Sequence, residues 1–128
     1  MENECGICGN FKSAFLNFQN KSVSENNISN ELGNRTWFFL HTMAAYYPDN
    51  PSELQKQKML LFIDGLSEFY PCKTCSEHLK EHIIQMPPNV ETNKTLSEWF
   101  CKIHNNINKN NGKEQFDCSN VIKEYKHI

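Results

Sequence analysis

The sequence predicts an all-α bundle of four helices plus a short fifth, preceded by an N-terminal arm. Apolar residues recur at helical spacing from Leu32 onward, and Pro and Gly interrupt that pattern where helices would end. No segment sustains the two-residue alternation of a strand. The 128 residues, 38% hydrophobic and 22% charged, suffice for one domain with a core and at most a short arm. Thirteen Lys and Arg against fifteen Asp and Glu give a net charge of -2, without the basic excess of a nucleic-acid reader. No run approaches the length of a membrane span. The segment Met1 to Asn10 has neither the positive nor the apolar region of a secretory signal.

Residues 1–30 read as a flexible arm. Cys5-Gly6-Ile7-Cys8 precedes Phe11, Phe15 and Phe18, whose spacing suits a short helix at best. Gln19 to Asn30 is rich in Asn and Ser, too poor in apolar surface to offset its ordering entropy, and reads as a linker. The helical domain is expected over residues 31–128. Its first helix carries Trp37, Leu40, His41, Ala44 and Ala45 and ends before Pro48. The second starts near Ser52, with Gln55 completing a capping box, and shows the stripe Met59, Phe62, Ile63, Leu66, Phe69 and Tyr70. The third begins at or just after Pro71, carries Cys72, Cys75, Leu79, Ile83 and Met86, and stops at Pro87-Pro88. The fourth spans roughly Thr95 to Lys109, with Thr95 as N-cap, Glu98 three residues on, and Gly112 closing it. A short fifth follows Asp117 and uses Val121, Ile122 and Tyr125.

Six cysteines, at 5, 8, 72, 75, 101 and 118, allow three readings: disulfide scaffold, zinc site or dithiol redox centre. Sixty-three residues lie between Cys8 and Cys72, far more than the roughly 15–20 of a zinc ribbon. A local zinc set remains open, because Cys72, Cys75, His78 and His82 read C-x2-C-x2-H-x3-H. For redox work, Cys72 near a helix N-terminus meets free amides and the helix dipole, which favour the attacking thiolate. Cys75 follows one turn later. No βαβ pattern is present to make this CxxC thioredoxin-like. On the fourth helix, Leu96, Trp99, Phe100, Ile103 and Ile107 form one apolar face, and Cys101, His104, Asn105 and Asn108 form another. That polar face reads either as an exposed Asn-rich surface or as a stripe that binds a polar, planar cofactor.

The order of short motifs then carries a family likeness. Leu32-Gly33, Thr36-Trp37, Leu40-His41, Ala44, Tyr46-Tyr47-Pro48 and Tyr70-Pro71-Cys72-Lys73-Thr74-Cys75 precede Trp99-Phe100-Cys101, His104-Asn105, Asn108, Gly112-Lys113 and Phe116-Asp117-Cys118. Across about residues 31–121 this resembles the Erv/ALR family of FAD-dependent sulfhydryl oxidases. The arm, Cys5-Gly6-Ile7-Cys8 with Phe11-Lys12, is similar to the shuttle segment of mitochondrial long forms.

The resemblance implies a helical bundle with FAD at its mouth, assembled as a head-to-tail homodimer. Cys72–Cys75 would be the redox disulfide, with Cys75 next to the flavin, in charge-transfer contact with it, and Cys72 attacked from outside. Cys101–Cys118 would be a structural disulfide. Trp37, His41, Tyr46, Cys101, His104, Asn105, Asn108, Lys109 and Lys113 match family flavin contacts, joined by Arg35 and by Tyr125 over the adenine. No metal is implied, and His78 and His82 fall to surface or packing roles. Substrate dithiols would reduce Cys5–Cys8, the arm would pass electrons to Cys72–Cys75, and FAD would deliver them to dioxygen or cytochrome c. The mitochondrial import oxidoreductase is the implied protein substrate and the intermembrane space the implied compartment, with the cytoplasm as the alternative for a viral member. A zinc-stabilised helical interaction module is the alternative function.

Three features depart from the family pattern. The family's Gly-Arg reads Gly33-Asn34-Arg35, displacing the arginine by one place. Its late Arg-Trp pair reads Glu124-Tyr125, and Glu124 cannot replace a cation near phosphate. The chain ends at Ile128 without the extra cysteine of some animal members, so the dimer is expected to rest on packing.

Overall fold

The computed structural model describes residues 25–128, and Cys5, Cys8 and the aromatic arm lie outside them. Four long helices, α1 (Glu25–Ala45), α2 (Glu53–Phe69), α3 (Lys73–Gln85) and α4 (Asn93–Asn110), are followed by a 3-10 turn (Cys118–Asn120) and a short α5 (Val121–Tyr125). No strand occurs among the described residues. The expected bundle of four helices and a fifth is therefore the observed one.

α1 packs on α4 and α5, while α2 packs on α3. The main core joins Trp37, Leu40 and Ala44 of α1 to Ile63 of α2, Leu79 of α3, and Leu96, Phe100, Ile103 and Ile107 of α4. Burying each large apolar side chain contributes roughly 1.5–3 kcal/mol, so this contact set dominates the fold. A satellite cluster of Ala45, Cys101, Val121 and Tyr125, edged by Phe38, Phe116, Cys118 and Ile122, seats α5. Two hydrogen bonds fix the loops: Tyr47 Oη donates to Val90 O at 2.9 Å, buried, and Trp99 Nε1 donates to Met86 O at 2.8 Å, part-buried.

Helix ends follow from local chemistry. Ser52 caps α2, with Gln55 answering as expected. Cys72 caps α3, which starts at Lys73 beyond the Pro71 turn. α4 is capped by Thr92 instead of Thr95: Thr92 Oγ1 accepts from Thr95 N at 3.1 Å, and Thr95 Oγ1 accepts from Thr92 N at 2.9 Å. A threonine at N3 completes the box that the sequence assigns to Glu98, so the helix starts a turn earlier. At the other end Gly112 adopts φ +68, which lets its N–H reach Lys109 O and the Lys113 N–H reach Asn108 O at 2.7 Å.

Two expectations change. α1 begins at Glu25, so residues 25–30 of the expected linker are helical and the helix runs through the expected boundary at 30/31. Extending an existing helix needs no new nucleus, and the Arg35–Glu31 pair at 2.7 Å adds a turn-spacing contact. The apolar stripe of α2 is only half covered. Ile63 is buried, but Phe62 is 40% and Phe69 81% exposed, with Leu54 and Leu61 also open.

Candidate active site

The α2–α3 corner presents one disulfide. Cys72 and Cys75 are bonded, with Cα atoms 5.2 Å apart. Cys72 Sγ also accepts the Cys75 N–H at 3.3 Å, the capping contact that starts α3. The two sulfurs differ in access: Cys72 is partly exposed, whereas Cys75 is closed to solvent within the main core. Ser76 Oγ donates to Ser67 O, tying the first turn of α3 to α2. Lys73 and Thr74, between the cysteines, are exposed.

The α1–α4 seam forms the second part. Trp37, His41 and His104 are all closed to solvent. Trp37 and His104 stack with ring centroids 4.0 Å apart and 2° between planes. His41 Nε2 meets His104 Nδ1 at 3.1 Å, and Tyr125 lies against His41 at 4.9 Å. Burial pushes His41 from 6.5 down to about 3, so it is neutral at physiological pH. Burial, then the Glu124 charge, raises Tyr125 and keeps its phenol protonated.

The polar face of α4 is therefore interior. Cys101, His104 and Asn108 are fully buried, which removes the exposed-surface reading of that face. Cys101 is bonded to Cys118, with Cα atoms 5.7 Å apart, clamping the 3-10 turn and α5 onto α4. Asn105 spends its amide on the loop, donating to Phe116 O and accepting from Phe116 N, each at 2.8 Å. Asn108 Nδ2 reaches Glu114 O at 3.3 Å, but its buried Oδ1 has no hydrogen-bond partner among the described residues.

The remaining expected contacts sit at the rim. Lys109 is exposed and Lys113 half-buried just beyond the α4 terminus. Tyr46, 39% exposed, accepts the Ile128 N–H at 2.6 Å and donates to Ile128 O at 2.8 Å, with Lys126 Nζ 5.5 Å from its ring. Arg35 is exposed and paired with Glu31, away from the buried stripe. The burial of two further polar residues escapes the sequence reading. Asn34 lies three residues before Trp37 and Ser97 seven before His104, so both continue the buried stripes, and helical periodicity is the signal that finds them.

The zinc set fares poorly. Cys72 and Cys75 are bonded to each other, and no three His, Cys, Asp or Glu side chains converge on a metal position among the described residues. Burial and the neighbouring His78 both lower His82.

Known proteins share this architecture. The chain is 40% identical over 91 residues to the FAD-linked sulfhydryl oxidase ERV1 of Arabidopsis thaliana, covering 71% of this chain and 48% of that protein. It is 42% identical over 90 residues to the mitochondrial FAD-linked sulfhydryl oxidase erv1 of Schizosaccharomyces pombe, covering 69% and 50%. The chain thus spans about half the length of the curated relatives it matches. The crystal structure of the yeast Erv1 core superposes with TM-score 0.76 at 34% identity, over 85% of this chain and 92% of that one. With the Erv1 / Alr family model matching residues 34–126 as well, the chain belongs to the Erv1 / Alr family.

Proposed function

We propose that the chain is an FAD-linked sulfhydryl oxidase that generates disulfides in protein dithiols. The observation that carries this reading is the Cys72–Cys75 disulfide, one sulfur accessible and the other buried, at the start of α3. The family's oxidases, named as FAD-linked, support it.

The residues present fit the cofactor. Trp37 and His104 offer parallel planar surfaces, and Asn108 Oδ1 is a buried acceptor in need of a donor. Trp37, His41, Tyr46, Cys101, His104, Asn108 and Tyr125 would hold the ring systems. Lys109 and Lys113 would meet the pyrophosphate, and Asn105 would act by fixing the loop at Phe116. Bound there, FAD would supply a two-electron acceptor, reoxidised by one dioxygen, giving hydrogen peroxide, or by two molecules of cytochrome c.

The chain's own sulfur chemistry precedes that step. A thiolate of the reduced Cys5–Cys8 pair, or of a substrate, attacks Cys72 Sγ and breaks its bond to Cys75. A mixed disulfide forms at Cys72, and a thiolate is left at Cys75. The attacking pair's second thiolate closes its own disulfide and releases Cys72. Both electrons then reside on the Cys72/Cys75 dithiol, whose disulfide would re-form when a bound two-electron acceptor takes them. Amides at the start of α3, the Cys75 N–H among them, favour negative charge at Cys72. The mitochondrial import oxidoreductase is the proposed substrate and the intermembrane space the proposed compartment. The exposed Leu54, Leu61, Phe62 and Phe69 of α2, with Phe39 of α1 against Phe62, support a homodimer.

The test is the visible spectrum of the purified full chain before and after anaerobic dithiothreitol. A flavin band that bleaches, with a long-wavelength band that Cys75→Ser abolishes, is the expected outcome. A colourless protein carrying stoichiometric zinc would overturn it.

A further inference from the structure

We infer that Asn34 is a cofactor-contacting residue whose side-chain amide oxygen takes a hydrogen bond from a hydroxyl or amine of the bound flavin dinucleotide. The inference rests on the FAD reading above. Asn34 is 5% exposed and stands on α1 at i, with Trp37 at i+3 and His41 at i+7, so it extends their buried stripe by one turn. Its Oδ1 has no hydrogen-bond partner among the described residues. Buried amide oxygens in native proteins are almost always satisfied by protein, water or ligand.

The direction of the seam shows what lies nearby. His41 meets His104, while Ala45 shares a cluster with Cys101, so α1 runs antiparallel to α4. Asn34 therefore lies toward the Asn108 end, where Asn108 Oδ1 is likewise without a partner among the described residues. Two buried acceptors at one end of the seam call for a ligand that brings donors. Phosphate oxygens bring none, whereas the ribityl and ribose hydroxyls and the adenine amine do. Arg35 points elsewhere, holding Glu31 on the outer side of the helix. At the start of this stripe the chain thus sets a neutral acceptor inside the seam and its arginine outside.

The experiment titrates FAD and, separately, FMN into flavin-free full-length wild type and Asn34→Leu by fluorescence, with thermal melts of both flavin-free proteins. Expected is an about tenfold weaker FAD affinity for the variant. Its flavin-free melting temperature should be equal or higher, since an apolar side chain replaces a buried acceptor that lacks a donor. Weakening of FMN as well assigns the contact to the flavin half; weakening of FAD alone assigns it to the adenosine half. If the leucine variant does not fold, Asn34→Ala is read the same way. FAD affinity within about twofold of wild type, or a melting temperature that falls together with the affinity, would overturn the inference. Wild type that takes up no FAD would sink the cofactor reading before any substitution is compared, and this inference with it.

Discussion

His41 Nε2 and His104 Nδ1 lie 3.1 Å apart, and both rings are closed to solvent. Either ring can donate and the other accept in this contact, and an additional proton on His41 costs desolvation in a site closed to water. Burial accordingly holds His41 at about 3 against 6.5 in the unfolded chain. Between those values the unfolded state binds the extra proton and the folded state does not. Stability contributed by this group is therefore present above about 6.5 and is lost as pH falls, at up to about 1.4 kcal/mol per unit. Urea unfolding from pH 7 to 4 should show a shallower pH slope for His41→Gln than for wild type. Identical slopes would mean that His41 is protonated in the folded state.

The Cys101–Cys118 bond closes a loop with a sequence separation of 17, and it sits in the satellite cluster that seats α5. Loop-closure entropy for that length is about 3 kcal/mol. The paired Cys101→Ser, Cys118→Ser variant should lose stability of that order in denaturant titration, and exchange should quicken for amides of α5 before those of α2. Asn105 still clamps Phe116 in that variant, so the loop itself should stay attached. Uniform loss of protection across all helices would show that α5 is not a separable unit.

Helical periodicity reveals the bundle because the core residues Trp37, Leu40, Ile63, Leu79, Phe100 and Ile103 repeat with the helix turn. It misleads on α2, where the same period marks Phe62 and Phe69 although Phe62 stays 40% and Phe69 81% exposed. Periodicity says which residues share a face and not which face finds a neighbour. The polar stripe of α4 shows the same limit: Cys101, His104 and Asn108 are correctly grouped, but only tertiary structure shows them buried against α1. The Arg35 expectation follows motif similarity, while a shift of one residue turns a side chain by about 100° around a helix, enough to carry it from the seam to Glu31.

The start of α4 gives a sharper test of local chemistry. Thr92 and Thr95 satisfy each other's backbone amides, and no acidic residue lies in that first turn. Thr92→Ala should cost about 1 kcal/mol in chemical denaturation. Glu98→Gln, at the position that the sequence pattern makes the box partner, should cost almost nothing. A larger loss from Glu98→Gln would place the helix start at Thr95 after all.

Access divides the Cys72–Cys75 pair. Cys72 is partly exposed and Cys75 closed to solvent. After reduction, iodoacetamide should label Cys72 well before Cys75, read by peptide mass mapping over time. Attack by a bulky protein thiol needs the same access, so Cys72 should also be the residue trapped in a mixed disulfide with substrate. Equal labelling would remove the division of roles between the two sulfurs.

The arm's cysteines lie outside the described residues, and their role is separable by substrate size. Dithiothreitol is small enough to reach Cys72 directly, and the exposed Lys73 and Thr74 leave its approach open. A protein dithiol would gain from a Cys5–Cys8 pair carried on the same chain, because covalent linkage raises that pair's effective concentration at Cys72. Cys8→Ser should therefore leave dithiothreitol-driven oxygen consumption within about twofold of wild type while impairing oxidation of a reduced protein substrate by about tenfold or more. If both rates fell together, Cys8 would belong to the core reaction at Cys72–Cys75 instead of to a shuttle that feeds it.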